Sequence, residues 1–215
     1  MATLVEVLCR ELRQGRKILI DSPYSAASMA LAAEIGCRCA EKACIAVSHG
    51  SEQLAALLRC GHVYIADSVY GLEACEGLKI LLLFTTPHQV KELLERVDVI
   101  VAPRIRRGSA WGQGVVYVRV RRRGAVYVAE LLNRTYMFVV RGGEVSDYRL
   151  SPELEKALRA LEEATLSYGT LSVRDAVTVV SSALGLSKSE ARRVLATLRE
   201  LGVVRIEGGV VTPLA

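Results

Sequence analysis

Arg119, Arg121 and Arg123 occupy alternate positions of the run VYVRVRRR, with Tyr117 in the same register and Val116, Val118 and Val120 in the other. Period-two alternation puts one set on each face of a strand. Three like charges on one strand face repel one another unless an anion or an acidic partner sits there. Just upstream, Arg104, Arg106 and Arg107 precede Trp111 in the stretch RIRRGSAWGQG. Cations interleaved with an aromatic suit single-stranded nucleic acid, the arginines holding phosphates and the ring stacking a base. Tyr117 and Tyr127 are further candidate rings, and a hydrophobic anchor on a sheet is the alternative for Trp111. A third group gathers near the C-terminus. Lys188, Ser189, Arg192, Arg193 and Thr197 share the polar side of an expected helix, and Arg205 follows. Arginine at such a position bonds phosphate or a guanine edge.

Charge follows the same division. Residues 104–149 hold ten basic and three acidic side chains, residues 1–103 ten and twelve, and residues 150–215 eight and eight. The middle segment therefore supplies more than the whole net charge of +5. A localised positive field fits a polyanionic partner, whereas a solvated strand face is the plainer meaning of a charge run.

Other chemistry finds little support. His49, His62 and His88 are scattered. Ser48-His49-Gly50 follows an expected strand, so Asp21, His49 and Asp67 are candidates to converge at one sheet edge and form a small-ligand pocket. Six cysteines, Cys9, Cys37, Cys39, Cys44, Cys60 and Cys75, lie in the first third. Their spacing matches zinc sites poorly. Small buried side chains are the first reading. Disulfides come next, since the Arg-rich chain has one Asn and few Gln, a thermophile-like bias, and hyperthermophiles do carry intracellular disulfides. A metal site comes last. No metal, no cofactor and no catalytic set is expected. The N-terminus mixes charges into its apolar residues, unlike a signal peptide, and no apolar run approaches a membrane span. The expectation is a soluble cytoplasmic protein with no membrane partner.

Positioning these side chains calls for two domains, 1–149 and 150–215. In the first, strands are expected at 17–20, 43–47, 62–66, 79–84 and 98–101. Helices are expected at 5–13, 25–35 (ended by Gly36), 52–59 (capped by Ser51) and from Pro87 to about 96. Such alternation implies a three-layer α/β fold around a mostly parallel sheet. Strands at 115–122, 126–131 and 136–140 extend it in antiparallel fashion. In the second domain, Ser151 caps a helix with Pro152 at its first position. Ser172 with Asp175 resembles a capping box, with Asp shorter than the usual Glu, and Ser187 with Glu190 forms a better one, for two more helices. Strands at 203–206 and 210–212 flank Gly208-Gly209.

Three helices followed by a β-hairpin is the order of a winged helix-turn-helix domain. The wording Gly-Leu-Ser, Ala-Arg-Arg-Val-Leu, Leu-Arg-Glu-Leu-Gly-Val-Val and Gly-Gly-Val-Val-Thr-Pro resembles archaeal and bacterial examples over roughly 45 residues. That resemblance implies a last helix in the DNA major groove. Docking onto protein is the other use of the fold, consistent with a neutral domain and a short wing. Residues 17–148 resemble a RecA-like or KaiC-like ATPase domain. The resemblance rests on KILIDSPYSAASMALA, on the strand ending at Asp67-Ser68, and on Leu81 to Thr86 as a core strand. A working P-loop needs G-x-x-x-x-G-K-[ST] to cradle and neutralise phosphate. Here Ser22 and Ala27 take the glycine places, Ser28 the lysine's and Met29 the hydroxyl residue's. The resemblance thus implies a core that has lost ATP hydrolysis. The sequence as a whole points to a non-catalytic DNA-binding protein, an accessory factor in repair, recombination or replication, or a transcriptional regulator. Its partner would be duplex DNA, with single strands as a second substrate. The alternatives are a structural subunit paired with an active ATPase paralogue, a homo-oligomer, or an enzyme with an unconventional nucleotide site.

Overall fold

The computed structural model describes residues 2–66, 68–105 and 114–214. It comprises two compact units, Met1–Asp147 and Tyr148–Ala215. No helix among the described residues is long and apolar enough to cross a membrane.

The first unit is a mixed α/β domain. Its helices are α1 (Leu4–Arg13), α2 (Ser25–Cys39), α3 (Ser51–Leu57) and α4 (Val90–Arg96), with a 3-10 turn at Tyr70–Leu72. Strands β1 (Lys17–Asp21), β2 (Ala43–Val47), β3 (Val63–Ala66), β4 (Leu78–Leu82) and β5 (Val99–Ala102) alternate with them. β6 (Val115–Arg123), β7 (Val126–Leu131), β8 (Arg134–Arg141) and β9 (Glu144–Asp147) follow. One sheet contains all nine, in the order β3-β2-β4-β5-β1-β6-β7-β8-β9. Pairings are parallel from β3 across to β6 and antiparallel from β6 to β9. Apolar side chains leave both faces of the central strands. Ile18 and Ile20 join Leu8 of α1, Leu31 of α2 and Leu54 of α3 in one core. Leu19 and Ile100 join Leu72 and Leu94 of α4 in the other. Burial on both faces is what the near-continuous apolar runs of β1, β4 and β5 require.

Four expectations change. Ser51 does not cap α3 but is its first residue, the N-cap being Gly50 (φ 78°). Gly36 does not end α2 but lies inside it, where an added Cβ would stand 3.3 Å from Val63 Cγ2 and 3.4 Å from Ile45 Cδ1. The glycine lets the helix approach β2 and β3. Pro87 does not open α4, because Gln89 (φ −123°, ψ 57°) is outside the helical basin and the helix starts at Val90. All six cysteines are disulfide-bonded, as Cys9–Cys39, Cys37–Cys60 and Cys44–Cys75. The buried-thiol reading is thereby replaced. The partners are 30, 23 and 31 residues apart, so the pairing arises from packing and not from a local motif. The sequence patterns also missed β9, a short, mostly exposed edge strand.

The second unit holds α5 (Pro152–Tyr168), β10 (Leu171–Ser172), α6 (Val173–Leu184), α7 (Lys188–Glu200), β11 (Val204–Glu207) and β12 (Val210–Pro213). Its sheet runs β10-β12-β11, antiparallel throughout. Its core is formed by Ala157, Leu161 and Ala164 on α5, Ala176, Val177 and Val180 on α6, and Ala191, Leu195 and Leu198 on α7. Gly208 (φ 56°) and Gly209 (φ 79°) turn β11 into β12. A two-residue hairpin with both central φ values positive is the turn glycine permits most cheaply.

Candidate nucleic-acid interface

The helix-turn-helix is assembled from local signals. Ser172 Oγ accepts the Asp175 N–H at 3.2 Å and starts α6. Gly185 ends it in the left-handed region (φ 67°), and the Ser181 hydroxyl donates to the Leu186 carbonyl at 2.6 Å. Ser187 then caps α7. Its Oγ accepts the Glu190 N–H at 3.3 Å, and the Glu190 carboxylate accepts the Ser187 N–H at 2.9 Å. The Ser187 hydroxyl also lies 2.7 Å from Glu190 Oε2. These Ser187 contacts, side chain first and backbone second, hold the Glu190 carboxyl below its ordinary 4.5, with a smaller contribution from Arg193.

With Ala191, Leu195 and Leu198 turned inward, the 100° step of the helix turns Ser189, Arg192, Arg193 and Ala196 outward. All four are exposed, as is Lys188 at the first helical position. Among the described residues, Lys188, Arg192 and Arg193 have no carboxylate within 4.0 Å. Thr197 is exposed, but its hydroxyl donates to the Arg193 carbonyl at 3.0 Å, within its own helix. Arg205 on the wing lies 3.7 Å from Glu207. Arg174 at the start of α6 is exposed and equally without a carboxylate partner. The sequence reading passed over it, although it is the only cation on that helix. The unit is neutral as a whole, yet α5 carries four glutamates against Lys156 and Arg159, while α7 carries Lys188, Arg192, Arg193 and Arg199 against Glu190 and Glu200.

The arginine row of β6 has the alternation expected, but it is not a free cationic ribbon. Arg119 Nε lies 3.9 Å from Asp21, and Arg121 Nη1 lies 3.7 Å from Glu130. Their side chains remain 52% and 42% exposed. Pairs this long and this wet are worth about 0–1 kcal/mol, enough to relieve the row's self-repulsion but not to immobilise it. Val126 and Val128, paired across the hairpin with Arg123 and Arg121, are buried. Arg123 is exposed and has no carboxylate within reach among the described residues. The two tyrosines proposed as base platforms have other partners. Tyr127 is 8% exposed, stacks on Phe138 at 5.3 Å and meets Tyr24 edge-on at 5.7 Å. The Tyr117 hydroxyl lies 3.0 Å from both Asp21 Oδ2 and the Ile105 carbonyl. Arg104 is exposed and carries a positive φ of 57°. Arg106, Arg107 and Trp111 lie outside the described residues.

The small-ligand convergence is not seen. β1 and β2 are separated in the sheet by β5 and β4, so the ends bearing Asp21 and His49 stand roughly 14 Å apart at about 4.8 Å per strand. Asp21 is also engaged inside the fold, its Oδ1 accepting the Ile105 N–H at 3.2 Å. Asp67 lies outside the described residues. No group of three or more His, Cys, Asp or Glu able to hold a metal occurs among the described residues.

Residues 171–208 match the model of the IclR helix-turn-helix domain. The match runs from β10 through α6 and α7 to the wing turn, and so contains Lys188, Ser189, Arg192, Arg193 and Arg205. Among solved structures, the crystal structure of the RadB recombinase aligns with 63% of this chain and 91% of its own at 11% identity, with a TM-score of 0.44. No curated protein matches the chain.

Proposed function

We propose that the chain is a non-catalytic DNA-binding protein whose helix-turn-helix places α7 against duplex DNA. It would serve as an accessory factor in repair, recombination or replication, or as a transcriptional regulator. The observation that carries this is the outward face of α7, with Lys188, Arg192 and Arg193 exposed and, among the described residues, without a carboxylate within 4.0 Å, around Ser189 and Ala196, in a segment that matches a helix-turn-helix domain. Cations near the N-terminal end of such a helix meet base edges and phosphates in the major groove. Arg123, and Arg119 and Arg121 once their weak pairs open, add sequence-independent phosphate contacts. The first unit is read as a RecA-like core without a working P-loop. Supporting this reading, only Ser22, Pro23 and Tyr24 separate β1 from α2, and Tyr24 caps that helix without a side-chain hydrogen bond.

The test is fluorescence anisotropy of labelled duplex and single-stranded DNA with the full chain at two salt concentrations. Duplex affinity should fall steeply as salt rises. Arg192→Ala and Arg193→Ala should each reduce the magnitude of the log–log salt slope by about one and weaken binding. A slope indifferent to both substitutions, or no duplex binding at low salt, would sink the proposal.

A further inference from the structure

Between the segments leaving β4 and β5 lies a cavity of about 510 Å³. Small-molecule sites commonly fall between roughly 300 and 1,000 Å³. It opens beyond the carboxyl ends of parallel strands, the edge at which α/β sheets receive ligands. Pro87, Val90 and Ile105 supply apolar wall, Lys91 and Arg104 supply cations, and Glu92 is the one carboxylate among the described residues of the lining. Among the described residues, neither Lys91 nor Arg104 has a carboxylate within 4.0 Å.

Arg104 is held in an unusual backbone state. Among the described residues, three non-glycine residues have positive φ, and two of them, Leu132 and Asn133, form the β7–β8 hairpin turn. Arg104 also lies in a turn, with Pro103, but one that leads out of a parallel strand rather than joining a hairpin. Conformations of this kind persist where the surroundings over-determine them, and they gather at ligand sites. The surroundings here are explicit. The Ala102 carbonyl accepts the Ser22 N–H at 3.0 Å, and the Ile105 N–H is held by the buried Asp21 carboxylate. The Ile105 carbonyl lies 3.0 Å from the Tyr117 hydroxyl. Both flanks of Arg104 are thus fixed to the end of β1 and to β6, which presents the guanidinium from a rigid support.

We infer that this groove binds a small phosphate ester, with Lys91 and Arg104 on the phosphate and the Pro87, Val90 and Ile105 wall against its organic body. The site belongs to the first unit and does not depend on DNA binding by α7. Isothermal titration of the full chain with AMP tests it, with inorganic phosphate as competitor. One saturable site per chain is expected. Lys91→Glu and Arg104→Glu should each weaken it about tenfold or more, as expected for a lost charge-assisted bond. Arg104→Lys should retain most of the affinity, and Arg192→Glu should leave it unchanged. Arg104→Gly suits the observed φ and so keeps the fold, yet it should bind as poorly as Arg104→Glu. The inference is overturned if AMP shows no saturable binding, or if binding ignores Lys91→Glu and Arg104→Gly. It is equally overturned if only oligonucleotides bind, since the groove would then be part of a DNA path.

Discussion

Asp21 shows how far a residue's position can mislead about its task. It ends the central strand β1, where a carboxylate with chemistry to do would be expected, and the sequence alone suggests a ligand pocket there. In the fold its two oxygens accept the Ile105 N–H and face the Tyr117 hydroxyl, with Arg119 3.9 Å away. The carboxylate is only 12% exposed, so water would not replace those contacts well if it were removed. Asp21→Ala should therefore cost roughly 1–3 kcal/mol by leaving a buried donor unsatisfied. Tyr117→Phe should cost less, about 0.5–1.5 kcal/mol, because the Ile105 N–H keeps its acceptor. Urea unfolding of the two variants measures both, and a midpoint unchanged by Asp21→Ala would show that the Asp21 contacts contribute nothing to stability.

The elements divide between those whose cause is local and those whose cause is remote. Ser151, Ser172 and Ser187 each sit beside the helix they begin, and each accepts a first-turn N–H, so the sequence discloses them. Gly36 has the composition of a helix stop, and only the approach of Val63 from β3 makes it a packing residue. The cysteine pairing is hidden for the same reason, since α1, α2 and the segments before β3 and β4 must first come together. The β6 alternation is legible, but Glu130 and Asp21 arrive from other strands, so the neutralisation of the row is not. The cap of α7 is local enough to carry a prediction of its own. Ser187→Ala should cost about 1 kcal/mol of stability in the second unit. Glu190 adds a pH dependence. Its folded-state carboxyl lies below 4.5, so its contribution is fully present above that value and is lost as pH falls through the folded one. Protection factors of the amides in the first turn of α7, taken against the intrinsic rate at each pH, should fall on acidification below about pH 4.5, beyond the loss seen elsewhere in the unit. Glu190→Gln should abolish that extra loss of protection, and its persistence in the variant would remove Glu190 as the cause.

At the scale of the whole molecule, the two units are stabilised by different means. Every cysteine, and so every disulfide, belongs to residues 1–147, while residues 148–215 rest on capped helices around a small apolar core. Cys9–Cys39 ties α1 to the end of α2, Cys37–Cys60 ties α2 to the segment before β3, and Cys44–Cys75 ties β2 to the segment before β4. The loops closed are similar in length, with separations of 30, 23 and 31 residues. In the chain-entropy model, loops of this size stabilise by about 3–4 kcal/mol each when considered alone. The loop closed by Cys37–Cys60 overlaps both of the others in sequence, so the joint effect is smaller than three times that. Even one such contribution is a large part of the stability of a typical domain, about 5–15 kcal/mol. Reduction should therefore loosen the first unit and leave the second as it was. Hydrogen–deuterium exchange of the full chain, with and without a strong phosphine reductant, reads the two units separately. The expected outcome is faster exchange in α1, α2, β2 and β3, with α6 and α7 unchanged. Equal exchange with and without reductant, or six titratable thiols in the unreduced protein, would show that the disulfides do not hold the first unit together.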